Sequence, residues 1–227
     1  MKRFFTVAVL IMRKDLRVET RSLELFLTTL FFAVSSVLVF AFGFVRDGRP
    51  VENAAAGILW IAIAFAGTLA LGRTFERERY HDVLRALFLA PVDRPAIYVG
   101  KLLGILALLA AVEAVVAPLI ALLFQAPLFR HPVLLFLLLL LGTLGFTAVG
   151  TLFGAMLVRA RSRDVLLPVL LYPITIPVII AGVRGTAVLL QPEMDLAMVR
   201  AWIGMLAFFD VVFITLSLWT FEPVMTE

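Results

Sequence analysis

The sequence predicts an all-α integral membrane protein with six transmembrane helices, and three observations lead to that prediction. Hydrophobic residues make up 63% of the 227 residues. Charged residues make up only 16%, which is too few for the polar surface that a soluble domain of this size needs. The apolar residues also form long uncharged runs, each near the length of about 20 residues that a helix needs to cross a bilayer. Most of this chain is therefore expected to be surrounded by lipid.

The uncharged runs define the predicted spans within a single transmembrane domain over residues 1–227. They are about 25–45, 54–72, 102–127, 132–158, 165–183 and 201–221. Helices are predicted because lipid offers no hydrogen-bond partner to an open backbone. A β-barrel would show short segments of alternating polarity, whereas residues 133–141 are apolar at every position. The pattern therefore favours helices over a barrel.

The basic residues indicate how the chain is oriented. Fifteen Lys and Arg residues lie before the first span, after the second and after the fourth, and only five lie on the other side. The side richer in Lys and Arg is usually cytoplasmic, so both termini are predicted to be in the cytoplasm. Membrane orientation accounts for the net charge of +4, and no nucleic-acid partner is predicted.

Residues 2–22 carry too many charges to span a membrane and predict an amphipathic helix in the cytoplasmic headgroup layer. Four apolar residues at helical spacing share one stripe of that helix: Phe5, Val9, Met12 and Leu16. Arg13, Arg17 and Arg21 share a neighbouring stripe. The alternative is a plain N-terminal extension of the first span.

The longest segment between spans is residues 73–101, which we call the charged segment. It opens with alternating acidic and basic residues, continues with Leu84, Leu87 and Phe88 at helical spacing, and then turns at Pro91 and Pro95. Charge, an apolar helical face and a rigid turn together predict a docking surface for a soluble partner, although a merely solvated surface is the alternative. The residues predicted for docking and coupling are Phe75, Glu76, Arg77, Glu78, Arg79, Asp82, Asp93 and Arg94.

Two carboxylic side chains, those of Glu113 and Asp210, lie near the middle of predicted spans. A carboxylate at that depth costs about 2.5–3.5 kcal/mol on insertion scales, so such residues face the protein interior and find partners. They either line a path for a substrate or form hydrogen bonds between helices, and the sequence leaves both readings open.

Small residues and prolines mark places where the spans depart from simple helices. Two glycine pairs predict close approach between helices: Gly100 with Gly104, and Gly150 with Gly154. The fifth span contains Pro168, Pro173 and Pro177, each of which removes a helical hydrogen bond. After it, residues 185–190 are apolar but too short to span, which predicts a re-entrant or interfacial piece.

The sequence does not predict an enzyme. A phosphate-binding loop needs a lysine after its glycines, and the nearest match, Gly145 to Gly150, has none. There is no cysteine, and the two histidines fall on opposite sides of the predicted membrane. We therefore predict no catalytic residue, no metal site and no cofactor held by this chain itself.

Several short motifs, in order along nearly the whole chain, resemble the cytochrome c maturation protein B family, also called haem exporter protein B. The motifs are residues 15–17, 57–61, 89–94, 96–103, 142–145, 148–152, 166–168 with Pro173 and Pro177, 209–210 and 221–222. One departure is visible, because relatives carry an acidic-glycine turn where this chain has Tyr80-His81-Asp82. The family consists of permease subunits of an ABC transporter.

The resemblance implies an ABC-2-type exporter permease in the bacterial inner membrane, with both termini cytoplasmic. It implies ATP hydrolysis by a separate ATPase subunit, cytochrome c maturation protein A, and a homodimer of this chain. It also implies a haem-handling membrane protein, a small single-span subunit and a haem chaperone as partners. ATP hydrolysis would drive haem export or release of the haem-loaded periplasmic chaperone, with haem handled by the complex.

Other functions remain open at this point. A self-sufficient proton-coupled secondary transporter would use Glu113 and Asp210 as proton carriers. A generic ABC-2 exporter of drugs, lipids or polysaccharide would share the architecture. The chain could also be a scaffold that transmits ATP-driven strain, and the resemblance leaves open whether it moves haem itself.

Overall fold

The computed structural model describes residues 2–43, 45–46, 49–50, 54–80, 93–160 and 162–224. In these residues the fold is a bundle of seven long helices. The helices of this part of the chain are α1 (Lys2–Ser22), α2 (Glu24–Gly43), α3 (Ala54–Tyr80), α4 (Arg94–Leu123), α5 (Pro132–Met156), α6 (Arg163–Leu189) and α7 (Leu196–Val224). Two strands, β1 (Val45–Arg46) and β2 (Arg49–Pro50), pair antiparallel between α2 and α3. Helices α2 to α7 are long and apolar enough to cross a membrane, which confirms the all-α class and the six predicted spans.

Some helix boundaries differ from the predicted spans. Helix α4 begins at Arg94 rather than at 102, because Pro95 lies in its first turn, where a missing N–H does no harm. Helix α6 runs unbroken from Arg163 to Leu189. Residues 185–189 are therefore the last turns of α6, and the prediction of a separate re-entrant or interfacial piece there is wrong.

One end of the bundle, which we call the basic end, gathers the end of α3, the start of α4, the start of α6 and the end of α7. Arg163 on α6 donates a hydrogen bond to the carbonyl of Gly72 on α3. The Tyr98 ring on α4 lies 5.4 Å from the Phe221 ring on α7, measured between ring centroids. The end of α7 and the start of α4 therefore lie at the same end of the bundle.

The centre of the bundle is organised around Trp60 of α3. Its indole lies directly against Gly142 of α5 and Gly182 of α6, where an added methyl group would overlap the ring. The indole N–H donates a hydrogen bond of 3.0 Å to the hydroxyl of Thr186. Glycine at these two positions lets one large side chain fill the junction of three helices.

The outer surface of the bundle is apolar. Large side chains of every spanning helix are exposed on it, among them Phe31, Phe65, Leu122, Phe136, Ile176 and Phe208. A soluble protein does not expose so much continuous apolar surface. This surface accounts for the low charge content of the sequence, because its expected neighbour is hydrocarbon rather than water.

Leu23 alone separates helix α1 from α2, and its φ of 53° lies in the left-handed region. The Glu19 carboxylate of α1 accepts a hydrogen bond of 2.7 Å from the backbone N–H of Phe26, near the start of α2. Leucine in the left-handed region is strained by about 1–2 kcal/mol because of its Cβ atom, whereas glycine, which has none, is not strained there.

We therefore expect Leu23→Gly to raise the free energy of unfolding by about 0.5–1 kcal/mol. The matched control is Leu27→Gly, since Leu27 is similarly exposed but lies within α2. Glycine inside a helix should lower the stability by about 1 kcal/mol. Equilibrium unfolding in mixed micelles measures both values, and equal destabilisation by the two changes would contradict the assignment of strain to Leu23.

Candidate functional site

The charged segment is more helical at its two ends than the sequence predicted. Helix α3 continues beyond the apolar run as far as Tyr80, so the backbones of Glu76, Arg77, Glu78 and Arg79 are helical. Asp93 is the exposed residue before α4, and Arg94 is the first residue of that helix. Residues 81–92 lie outside the described residues, and with them Asp82 and the predicted helical face of Leu84, Leu87 and Phe88. The docking role of these charged residues stays a prediction.

Phe75 does not lie on an open surface. Its ring is buried against Gly154 of α5, and Leu71, one turn earlier, packs in the same way against Gly150. The second predicted glycine pair therefore forms a groove that receives two side chains of α3. The Arg163 guanidinium lies 6.0 Å from the centroid of the Phe75 ring, within range of a cation–π contact. Phe75 thus fixes the start of the charged segment to α5 and α6.

The end of the charged segment is fixed by an ion pair that the sequence did not predict. The Lys101 ammonium donates a hydrogen bond of 2.7 Å to the Asp15 carboxylate of α1. The Lys101 side chain is 3% exposed and that of Asp15 is 21% exposed. The other oxygen of Asp15 lies 2.9 Å from the Lys14 ammonium.

The first predicted glycine pair lies in the same contact. Ala8 and Ile11 of α1 lie directly on Gly100, and Asp15 lies near Gly104. The lack of side chains at these two positions allows α1 to approach the backbone of α4 closely. Helix α1 and the first turns of α4 are therefore held together both by close packing and by a largely buried charge pair.

Glu113 is positioned as a hydrogen-bond partner between helices. It projects from α4 and accepts a hydrogen bond from the hydroxyl of Thr143 on α5. The space that Glu113 borders is otherwise lined by alanine and aliphatic side chains, such as Ala62, Ala66 and Val116, and has no room for a water molecule. This arrangement favours the structural reading of Glu113 over the reading as part of an open path.

Asp210 of α7 is 4% exposed and lies against Gly145 of α5. Within the described part of the chain, neither of its carboxyl oxygens has a hydrogen-bond partner. Thr143 and Gly145 are two residues apart on α5 and therefore point to different sides of that helix. Glu113, which is bonded to Thr143, and Asp210, which lies against Gly145, consequently contact different faces of α5. The two carboxyl groups lie at a similar level of the bundle and do not form one site.

Nothing in the described residues resembles a metal centre. No group of three His, Cys, Asp or Glu side chains among them is close enough to hold an ion. Among the described residues, the chemically distinctive parts are the two fixed ends of the charged segment and the separate buried carboxyl groups.

Comparison with known proteins identifies the family of this chain. The family model of the CcmB protein matches residues 6–225. A relative in Rhodobacter capsulatus, named heme exporter protein B, is 32% identical over 193 residues, which cover 83% of this chain and 87% of the relative. Proteins of the same name in Paracoccus denitrificans and Pseudomonas aeruginosa are 31% and 27% identical, over 76% and 77% of this chain and 78% of each relative. This multi-pass membrane protein therefore belongs to the CcmB family.

Proposed function

We propose that the chain is the membrane subunit of an ABC-type haem exporter that serves cytochrome c biogenesis. A separate ATPase subunit hydrolyses ATP, and the charged segment carries the resulting motion into the spanning helices. The motion drives haem export or the release of a haem-loaded periplasmic chaperone. Family membership and the name of the relatives support haem as the cargo of the complex.

The observation that carries the coupling role is the attachment of the charged segment at both ends. Phe75 and Arg163 join its start to α5 and α6. Lys101 and Asp15 join its end to α1. Because packed helices move as units and deform little, a push on a segment held in this way moves helices at both ends. A segment whose ends were not packed against other helices would change its own shape under the same push and would not move those helices.

The location and partners follow from the same proposal. The basic end faces the cytoplasm of a bacterial cell, in its inner membrane, which agrees with the fifteen basic residues assigned to that side. Two copies of the chain pair with the ATPase subunit, cytochrome c maturation protein A. The haem-handling membrane protein, the small single-span subunit and the haem chaperone complete the assembly.

Charge reversal in the charged segment tests the proposal. We expect Glu76→Lys with Glu78→Lys to lower recovery of the ATPase subunit with the tagged chain by at least about tenfold, because a like-charge contact at an interface costs several kcal/mol. The control is Glu193→Lys, an exposed residue between α6 and α7, at the other end of the bundle. Unchanged recovery together with unchanged ATP turnover in the double variant would contradict the docking role.

A second candidate function is proton-coupled transport by this chain alone, and the environment of Asp210 is the observation that favours it. A buried carboxyl group without a partner among the described residues is a typical proton carrier in transporters. The purified chain in vesicles decides between the two functions. Flux driven by a proton gradient without any ATPase, abolished by Asp210→Asn, would favour this second function over the first.

A further inference from the structure

Helix α1 presents three different faces, and only one of them contains fully buried residues. The covered face consists of Ala8, Ile11 and Glu19, with Asp15 half-buried beside them. This face differs from the apolar stripe that the sequence predicted. That stripe borders it and is exposed in its first half, since Phe5 is 61% exposed and Val9 is 36% exposed, whereas Met12 and Leu16 are half-buried.

The third face of α1 is basic. Arg13, Arg17 and Arg21 recur every four residues and are all exposed. Within the described ranges, none of the three guanidinium groups takes part in an ion pair. The uncovered surface of α1 is therefore an apolar strip with a row of arginines along its edge. We call this surface the α1 outer surface.

The position of α1 along α4 gives the depth of this surface. Lys101 is the last charged residue of α4 before the uncharged run 102–112, so it marks where α4 enters the hydrocarbon. Helix α1 contacts α4 at Gly100, Lys101 and Gly104. The middle of α1 therefore lies at the level of the lipid headgroups.

We propose that the α1 outer surface binds anionic phospholipids of the membrane that surrounds the chain. The arginines contact the headgroup phosphates, and Phe5 and Val9 contact the upper part of the acyl chains. A phospholipid matches both parts of this surface, because it carries a phosphate for the arginines and acyl chains for the apolar strip, whereas an acidic protein partner would match only the arginines. This proposal concerns only α1 and lipid, so it stands or fails independently of the transport function.

Electron paramagnetic resonance with spin-labelled lipids tests the proposal on the full chain in phosphatidylcholine vesicles. The measured quantity is the preference of the protein for spin-labelled phosphatidylglycerol over spin-labelled phosphatidylcholine. We expect a clear preference for phosphatidylglycerol that falls by up to about fivefold for each arginine removed, as in Arg13→Gln with Arg17→Gln. The matched control is Arg184→Gln with Arg200→Gln, two exposed arginines near the other end of the bundle.

The possible outcomes separate clearly. Loss of preference in the α1 variant but not in the control supports the proposal, as does a preference of the unmodified chain that weakens with added salt. An equal loss in both variants, or none in the α1 variant, contradicts it. An unchanged preference accompanied by loss of the ATPase subunit from the α1 variant would assign the arginines to a protein partner instead, and would also contradict the proposal.

Discussion

Replacing Asp15 with alanine is expected to lower the free energy of unfolding by about 3 kcal/mol, because the change removes the carboxylate that lies 2.7 Å from the Lys101 ammonium. Removing one partner of a buried pair leaves the other charge in a poor solvent. The effect should fall at the low end of the range for such pairs, since 21% of the Asp15 side chain remains exposed. Equilibrium unfolding in mixed micelles provides the measurement.

A double-mutant cycle separates this ion pair from general damage to α1. Lys101→Met keeps most of the side-chain volume, and the double variant Asp15→Ala with Lys101→Met should lose less stability than the two single losses together, by at least about 1 kcal/mol. The control is Asp164→Ala, at an exposed site in the first turn of α6, which should lower the free energy of unfolding by less than about 1 kcal/mol. Simple additivity in the cycle would contradict a direct interaction between Asp15 and Lys101.

Replacing Trp60 with alanine is the second large effect, with an expected loss of about 3 kcal/mol in the free energy of unfolding. In a membrane the loss comes from dispersion contacts rather than from the hydrophobic effect, because lipid is as apolar as the protein interior. The ring contacts Gly142 and Gly182, and alanine would leave the space between the three helices empty. It would also remove the hydrogen bond to Thr186.

Trp219 offers a matched control, since it is 79% exposed on α7. Trp219→Ala should change the free energy of unfolding by less than about 0.5 kcal/mol. Thr186→Val should cost about 1–3 kcal/mol, because it leaves the buried indole N–H without its acceptor. Equal effects of the two tryptophan changes would show that Trp60 does not hold α3, α5 and α6 together.

The number and type of the spanning helices could be predicted because lipid demands long uncharged helical runs. Their ends could not be predicted as well. Arg73 ends the uncharged run of the second predicted span. A charged side chain does not end a helix, however, and α3 continues to Tyr80. Pro95 suggested a turn, although proline is favourable in the first turn of a helix, where it lies in α4.

The position of the charged segment between two spanning helices could be predicted, but its contacts could not. Phe75 stands next to a run of charges and was therefore assigned to docking. Its spacing from Leu71, matched to that of Gly150 and Gly154, was a signal for burial. The pairing of Asp15 with Lys101 could not be recognised in the sequence, because 86 positions separate the two residues. Each of them looks like another charged residue beside the membrane. Pairing of that kind depends on the tertiary structure.

Cross-linking to the ATPase subunit tests the central claim most directly. The chain has no cysteine, so Asp82→Cys within the charged segment and Gln191→Cys between α6 and α7 each provide a single thiol. We expect the thiol at 82 to be labelled only from the cytoplasmic side and to cross-link to the ATPase subunit, and the thiol at 191 to do neither. Labelling of position 82 from the outer side, with position 191 protected there, would contradict the account.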